Sequence, residues 1–293
     1  MDGVIVVDKP AGWTSHDVVN KTRRIAQTKK VGHLGTLDPL ATGVLPLIIG
    51  RATRLAQFYN RNDKIYEGVV CFGWSTDTYD SEGAATSAKT EPRLDAGSLE
   101  HWLERFRGEF LQTPPPVSAK KVGGRRAYEL ARKAVVVELE PVKVRVHELA
   151  VLSIEGAEVR LRVHCSAGTY MRSIAHDLGQ LAGCGAHLTQ LRRLASGEFE
   201  IAQARTISQL ESLAAAGRLV DALVPAAQML PGFPAVFVDD LTATQIRNGR
   251  NFRASAFRSL AASRYVKAVD RQEELVAIGE AVLPNLYHPV VVL

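Results

Sequence analysis

The chain has 293 residues, 46% of them hydrophobic, and a formal charge of +5. That length holds one large domain or two, and that apolar fraction supplies a full core, which excludes a disordered or fibrous chain. Lys and Arg outnumber Asp and Glu by 36 to 31, a mild basic excess that hints at a polyanionic partner without identifying one. Val4–Val7 predicts a short buried strand, broken by Asp8-Lys9-Pro10-Ala11-Gly12-Trp13. Thr14 or Ser15 then caps a helix to about Gln27, with Val18, Val19, Thr22 and Ile25 on one face. A loop from Gly32 to Gly43 follows, closed by the apolar run Val44–Ile49. Arg51–Tyr59 reads as a helix, and Ile65–Trp74 as a strand with Tyr66 near its start. Thr76–Pro92 is a long polar loop, and Leu99–Phe106 is helical. Thr113-Pro114-Pro115-Pro116 cannot lie inside a helix. Residues 119–147 read as a basic protrusion carrying Lys120, Lys121, Arg125 and Arg126, a short helix Tyr128–Ala134 and a strand Val135–Leu139. Val144–Leu152 and Val159–His164 alternate as strands do. Tyr170–Leu181 is an amphipathic helix, His187–Leu194 an extended segment and Ile207–Leu213 a helix. Gln228–Pro234 has the composition of a linker. Beyond it, a helix near Thr242–Asn248 and strands ending in Tyr287–Leu293 predict a small β-rich domain. The regular βαβ spacing of a doubly wound sheet is absent. The expected fold is α+β: a mixed, largely antiparallel central sheet flanked by helices over 1–230, with a second domain over 233–293.

Several chemistries are unsupported. Cys71, Cys165 and Cys184 form no C-x-x-C pair, so neither a zinc knuckle nor a redox pair is expected, and the sparse odd count fits a reducing cytoplasm. No secretory signal is indicated, and no apolar run is long enough for a bilayer. The glycine loop lacks the Gly-Lys-Ser/Thr of a P-loop. The eight histidines do not fall at metal-ligand spacings, so no metal site is expected. His16, His164, His176 and His187 read as satisfied polar residues at or near element ends.

Asp38 is the first candidate for chemistry. An Asp-Pro pair is commonly an Asx turn. Three surrounding glycines and His33 argue instead for a shaped loop presenting one acid, one imidazole and bare backbone to something large. Arg172 is the second. It sits in the first turn of a predicted helix, where the dipole disfavours a cation, which suggests a carboxylate or phosphate partner. Tyr66, beside Glu67, is either a core aromatic or a hydroxyl kept near a polar site. Leu191-Arg192-Arg193-Leu194 is either a solvated basic edge or a phosphate contact.

Taken in order, Val7–His16, Gly32–Leu45, Thr76–Asp80, Gly168–Arg172 and Leu191–Leu194 closely resemble the motifs of the TruB family of bacterial tRNA pseudouridine-55 synthases. The resemblance covers Val4 to about Leu230, and the tail after Phe233 resembles a PUA-type RNA-binding module. It implies isomerisation of a T-loop uridine of tRNA without a cofactor: uracil leaves C1′, turns over and rejoins through C5. It assigns Asp38 to the sugar, as a nucleophile or as a stabiliser of positive charge on a glycal route. Arg172 keeps that carboxylate ionised. Tyr66 stacks on the flipped uracil and offers its hydroxyl as a base, and Leu191 packs the opposite side. His33 fills the space the base vacates. Lys9 and Pro10 support the loop, Asp80 and Tyr170 belong to the RNA-binding set, and Lys120, Lys121, Arg125 and Arg126 grip the RNA. The resemblance further implies a cytoplasmic monomer bound to the T-arm and elbow of tRNA, with no obligatory protein partner. Guide-RNA-dependent relatives carry long extensions, and the little sequence before Val4 favours a stand-alone enzyme. Three alternatives stand beside it: another structured RNA as substrate, an RNA chaperone that needs cations and aromatics but not Asp38, and a hydrolase with Asp80 as a second acid.

Overall fold

Two strands buried on both faces form the heart of the molecule, a computed structural model describing residues 1–117, 121–122, 125–126, 139–254 and 263–293. β1 (Gly3–Lys9) and β3 (Thr42–Ile49) are continuous apolar runs and pair antiparallel from Gly3↔Ile49 to Lys9↔Gly43. Between them in sequence lie α1 (Ser15–Ile25) and the short β2 (Val31–His33), which adds to β3. Thr14 caps α1 in a reciprocal box with Asp17, a device worth about 1 kcal/mol.

The main sheet runs β12 (Leu223–Pro225), β1, β3, β10 (Ala186–Ser196), β4 (Lys64–Phe72), β9 (Glu158–Cys165), β8 (Val142–Glu155), β5 (Gly108–Gln112), and β11 (Phe199–Glu200) pairs with β10. Among its described strands β3 and β10 pair in parallel and the rest antiparallel. The mixed, largely antiparallel sheet expected from the sequence is therefore present. Helices α2 (Ala96–Leu103), α3 (Met171–Leu181) and α4 (Ile207–Ala215) pack against it, burying Leu99, Ile174, Leu178 and Leu210.

The helix expected over Arg51–Tyr59 is present as a 3-10 helix, Gly50–Tyr59, whose tighter period buries Ala52, Leu55 and Tyr59. Two expectations change. The protrusion over 119–147 is shorter, because 142–147 already belongs to β8. There the buried alternates Val144 and Val146 pair with β5 in the sheet. Its described remainder is residues 139–141 and a short hairpin of β6 (Lys121–Val122) with β7 (Arg125–Arg126). Lys120, the helix expected over Tyr128–Ala134 and most of the strand expected over Val135–Leu139 lie outside the described residues. Gln228–Pro234, a linker by composition, is packed. Met229 and Leu230 are buried in a cluster shared with Val269, Ile278 and Val291. Such burial contributes about 1.5–3 kcal/mol per side chain. Lys267 Nζ donates to the carbonyls of Ala227 and Met229, and the Phe58, Phe233 and Tyr265 rings meet.

The second sheet runs β13 (Ala235–Phe237), β15 (Tyr265–Val269), β16 (Leu275–Leu283), β17 (Leu286–Val292), β14 (Phe252–Arg253), with α5 (Asp240–Arg247) against it. It is the small β-rich unit expected from the tail. Among the described residues no helix is long and apolar enough to cross a membrane.

Candidate active site

The loop between β2 and β3 is clamped on both sides of Asp38. Ser15 Oγ accepts from Leu37 N (2.8 Å) and donates to Leu37 O (2.9 Å). Lys9 Nζ, fully buried, donates to the carbonyls of Pro10, Trp13 and Pro39. Burial pushes the Lys9 ammonium down to about 8. Lys9 thus supports the loop from below, while Pro10 is exposed beside it. The result is a fixed backbone carrying one free-standing carboxylate. The Asp38 side chain is 41% exposed, whereas its partner Arg172 is only 6% exposed.

Arg172 stands in the first turn of α3, and carboxylates offset the unfavourable dipole there. Its Nε lies 2.9 Å from Asp38 Oδ2, and its Nη1 lies 3.6 Å from Asp80 Oδ2. The guanidinium also donates to Thr78 O and Val117 O. Asp80 is held in turn by Thr78 Oγ1 (2.6 Å) and Glu82 N (3.1 Å). Expected among RNA contacts, Asp80 is buried and faces Arg172, so its geometry suits holding that guanidinium.

A cleft of about 300 Å3 opens over Asp38, lined by Tyr66, Leu191 and Tyr170. Tyr66 and Leu191 are both nearly buried, as a platform and a wall would be. Burial pushes the Tyr66 hydroxyl up, and the neighbouring Arg193 pulls it back. His33 ends β2, half-buried. Tyr170 caps α3, and its backbone is gripped at both ends by the buried Gln112: Tyr170 N donates to Oε1 (2.8 Å) and Nε2 donates to Tyr170 O (3.0 Å). Of Lys121, Arg125 and Arg126 the backbone hairpin is described, and Lys120 is not.

Sequence reading missed four residues. Gln112 and Ser173 bind the Pro-rich segment to α3, Ser173 through Thr113 O, and the single cue is that Gln112 lies two residues before the first proline. Asn60 and Lys64 line the cleft, with no local signal. The Arg192-Arg193 pair divides. Arg192 pairs with Asp8 (2.8 Å), whereas Arg193 is fully buried and so contacts no phosphate. His176, expected as a satisfied residue near an element end, lies mid-helix with its ring stacked on Tyr79 at 3.7 Å. Asp63, His147 and His164 bring ligand-type atoms within 4.8 Å of one another. Asp63 precedes β4, His147 lies within β8 and His164 lies near the end of β9, so sequence spacing could not show the grouping. His147 Nε2 lies 3.1 Å from the carboxylate, as an exposed ion pair would.

Behind the Tyr79–His176 stack, burial pushes the Asp177 carboxyl from an ordinary 3.8 up to about 6. The folded state therefore holds this proton more tightly than the unfolded chain. Its contribution to stability is full below pH 3.8 and is lost as pH rises through about 6. Asp177→Asn is expected to stabilise the protein by about 1–2 kcal/mol near pH 7 and to change little near pH 3.5. Thermal melts of both proteins across that range check it, and parallel curves would show that Asp177 is not the titrating group.

One exposed carboxylate, held by a buried guanidinium in a cleft of about 300 Å3, is the candidate active site. Comparisons with known proteins show the family. Residues 23–171 match the family model "TruB family pseudouridylate synthase (N terminal domain)", and residues 172–230 match "tRNA pseudouridylate synthase B C-terminal domain". The chain belongs to the TruB family of pseudouridine synthases. It is 73% identical over 293 residues, all of both chains, to tRNA pseudouridine synthase B of Solibacter usitatus. It is 45% identical to that of Symbiobacterium thermophilum over 85% of this chain and 82% of the relative. Among solved structures, the "Cbf5-Nop10-Gar1 Complex" superimposes with a TM-score of 0.71 at 28% identity, covering 97% of this chain and 79% of that one. An H/ACA RNP bound to a substrate RNA containing 2'-deoxyuridine gives 0.71 at 26% identity, covering 99% and 84%. The boundary between the two family segments separates Asp38 from Arg172. The two segments nevertheless share one sheet, since β10 lies between β3 and β4.

Proposed function

We propose that this chain isomerises one T-loop uridine of tRNA to pseudouridine, using Asp38 and no cofactor. The carrying observation is the exposed Asp38 carboxylate, fixed by its backbone and paired to the buried Arg172. Family membership supplies the reaction class, and the curated relatives are named for tRNA. The N1–C1′ bond breaks, the uracil turns over, and C5–C1′ forms as C5 gives up its proton and the released N1 takes one up, so the product is an isomer of the substrate. Positive charge develops at C1′ in the first step, where a fixed carboxylate stabilises it or captures it covalently. Arg172 holds Asp38 in place through its Nε contact with Oδ2.

A T-loop base is unreachable in the folded tRNA, so the nucleotide must be flipped into the cleft. Tyr66, which lines the cleft beside Asp38, forms the surface on which the uracil stacks and offers its hydroxyl as a base at the sugar. Leu191 closes the other side. His33 and the hairpin bearing Lys121, Arg125 and Arg126 face the remaining RNA, and the second sheet serves as a PUA-like module. The protein acts as a cytoplasmic monomer on the T-arm.

The test uses a tRNA transcript tritiated at C5 of uridine, because C5 must lose that hydrogen to bond carbon. Release equivalent to one uridine per tRNA, abolished when the T-loop uridine is replaced by cytidine, is the expected result. Tight binding without release would instead indicate a chaperone. Free uracil in solution would indicate a hydrolase.

A further inference from the structure

We infer that Arg193 is a positioning residue for this reaction: its buried guanidinium replaces a missing strand partner and locks the Asp38 loop to the sheet. The inference rests on Asp38 being the reacting carboxylate. β3 pairs with β2 through Leu47–Ile49 and with β10 through Thr42 and Gly43. Between these two stretches, on that edge, lie Val44 and Leu45, which pair with neither strand, while Pro46 O accepts from Leu34 N (3.0 Å) just past β2. Arg193 fills the gap. Its Nε donates to Val44 O (2.7 Å), its Nη2 to Gly35 O (3.0 Å) and its Nη1 to Thr36 O (3.2 Å). One side chain thus joins the sheet to the two residues that lead through Leu37 into Asp38.

The placement is tightly fixed. Arg193 is 0% exposed. A Cβ on Gly43 would lie 2.2 Å from Arg193 O, so β10 can approach β3 this closely only beside glycine. Arg193 stands directly opposite Tyr66 in the β10–β4 register, which puts both side chains on one face. Among the described residues no carboxylate pairs with the guanidinium. Burying an unpaired cation is costly, and a structural role would be filled more cheaply by an apolar side chain. Here the charge is retained behind a loop whose own carboxylate must work as an anion, and beside the aromatic that lines the cleft. The three carbonyls accept from the guanidinium but leave its charge uncancelled.

The test measures single-turnover tritium release and tRNA affinity for Arg193→Met and Arg193→Lys, beside Asp38→Asn. In Arg193→Met, affinity is expected to stay within about threefold while the rate falls roughly a hundredfold, as for a reacting group displaced by about 1 Å. Arg193→Lys keeps the charge but not the three-way fork, so its rate should fall between. A folded Arg193→Met that binds tRNA and turns over at the native rate overturns the inference. If that variant does not fold, Arg193→Lys decides: native rate overturns the inference, and a slowed rate at unchanged affinity supports it. Asp38→Asn separates the two readings. Retained activity there removes the premise, whereas its loss together with a fully active Arg193 variant removes only the inference.

Discussion

Replacing Asp38 by Asn is expected to abolish tritium release, by on the order of a thousandfold or more, while tRNA affinity changes little. The substitution is nearly isosteric and removes the charge. The loop is held through Ser15, Lys9 and the backbone of Leu37 and Pro39, none of which needs the Asp38 side chain, so the fold should survive. An amide can neither capture a developing cation at C1′ nor stabilise it as a carboxylate does. Affinity comes mainly from phosphate contacts, which Asp38 does not supply. A filter-binding or fluorescence titration with unmodified tRNA gives the second half of the result. Loss of binding in parallel with activity would mean that Asp38 shapes the cleft instead of acting on the sugar.

Arg172→Met is the other large effect, and it should appear in both stability and rate. The guanidinium is the cation within reach of the buried Asp80, whose side chain is only 5% exposed. Removing one partner of a buried pair costs about 3–5 kcal/mol, because the other is left charged in an apolar place. The carbonyls of Thr78 and Val117 lose their donor as well. The catalytic rate is expected to fall about 100–1,000-fold, since Asp38 loses the group that orients it. A second substitution isolates the cause. Adding Asp80→Asn to Arg172→Met removes the stranded charge, so stability should recover in part while activity does not. Equal melting temperatures for the single and double variants would show that Asp80 and Arg172 are not coupled.

The residues most legible in the sequence were those whose local chemistry is unusual. Asp38 was marked by its glycines and its proline, which are needed wherever the loop is built. Arg172 was marked by a cation placed against a helix dipole. Its expected anionic partner exists, but as two carboxylates contributed by different loops. Asp80 was identified as important and placed in the RNA-binding set, because nothing local distinguishes a buried acid from an exposed one in a polar loop. Arg193 could be read as a solvated edge or a phosphate contact, and it is neither. Its burial follows from the gap along β3, which exists only once β2 and β10 have both docked.

The sequence by itself determined the buried first strand, the capped first helix, the amphipathic α3 and the mixed, largely antiparallel sheet, which rest on short-range rules: apolar runs, residue periodicity and capping side chains. The family followed from the resemblance of its motifs, taken in order. Tertiary structure alone decided which charges meet, which lysine and arginine are buried, and that the apparent linker at Met229–Leu230 is core. The reason is physical. A side chain's burial and electrostatic partners depend on contacts between segments far apart in the chain, such as Asp38 with Arg172 and Arg193 with Thr36, and no local pattern encodes those contacts.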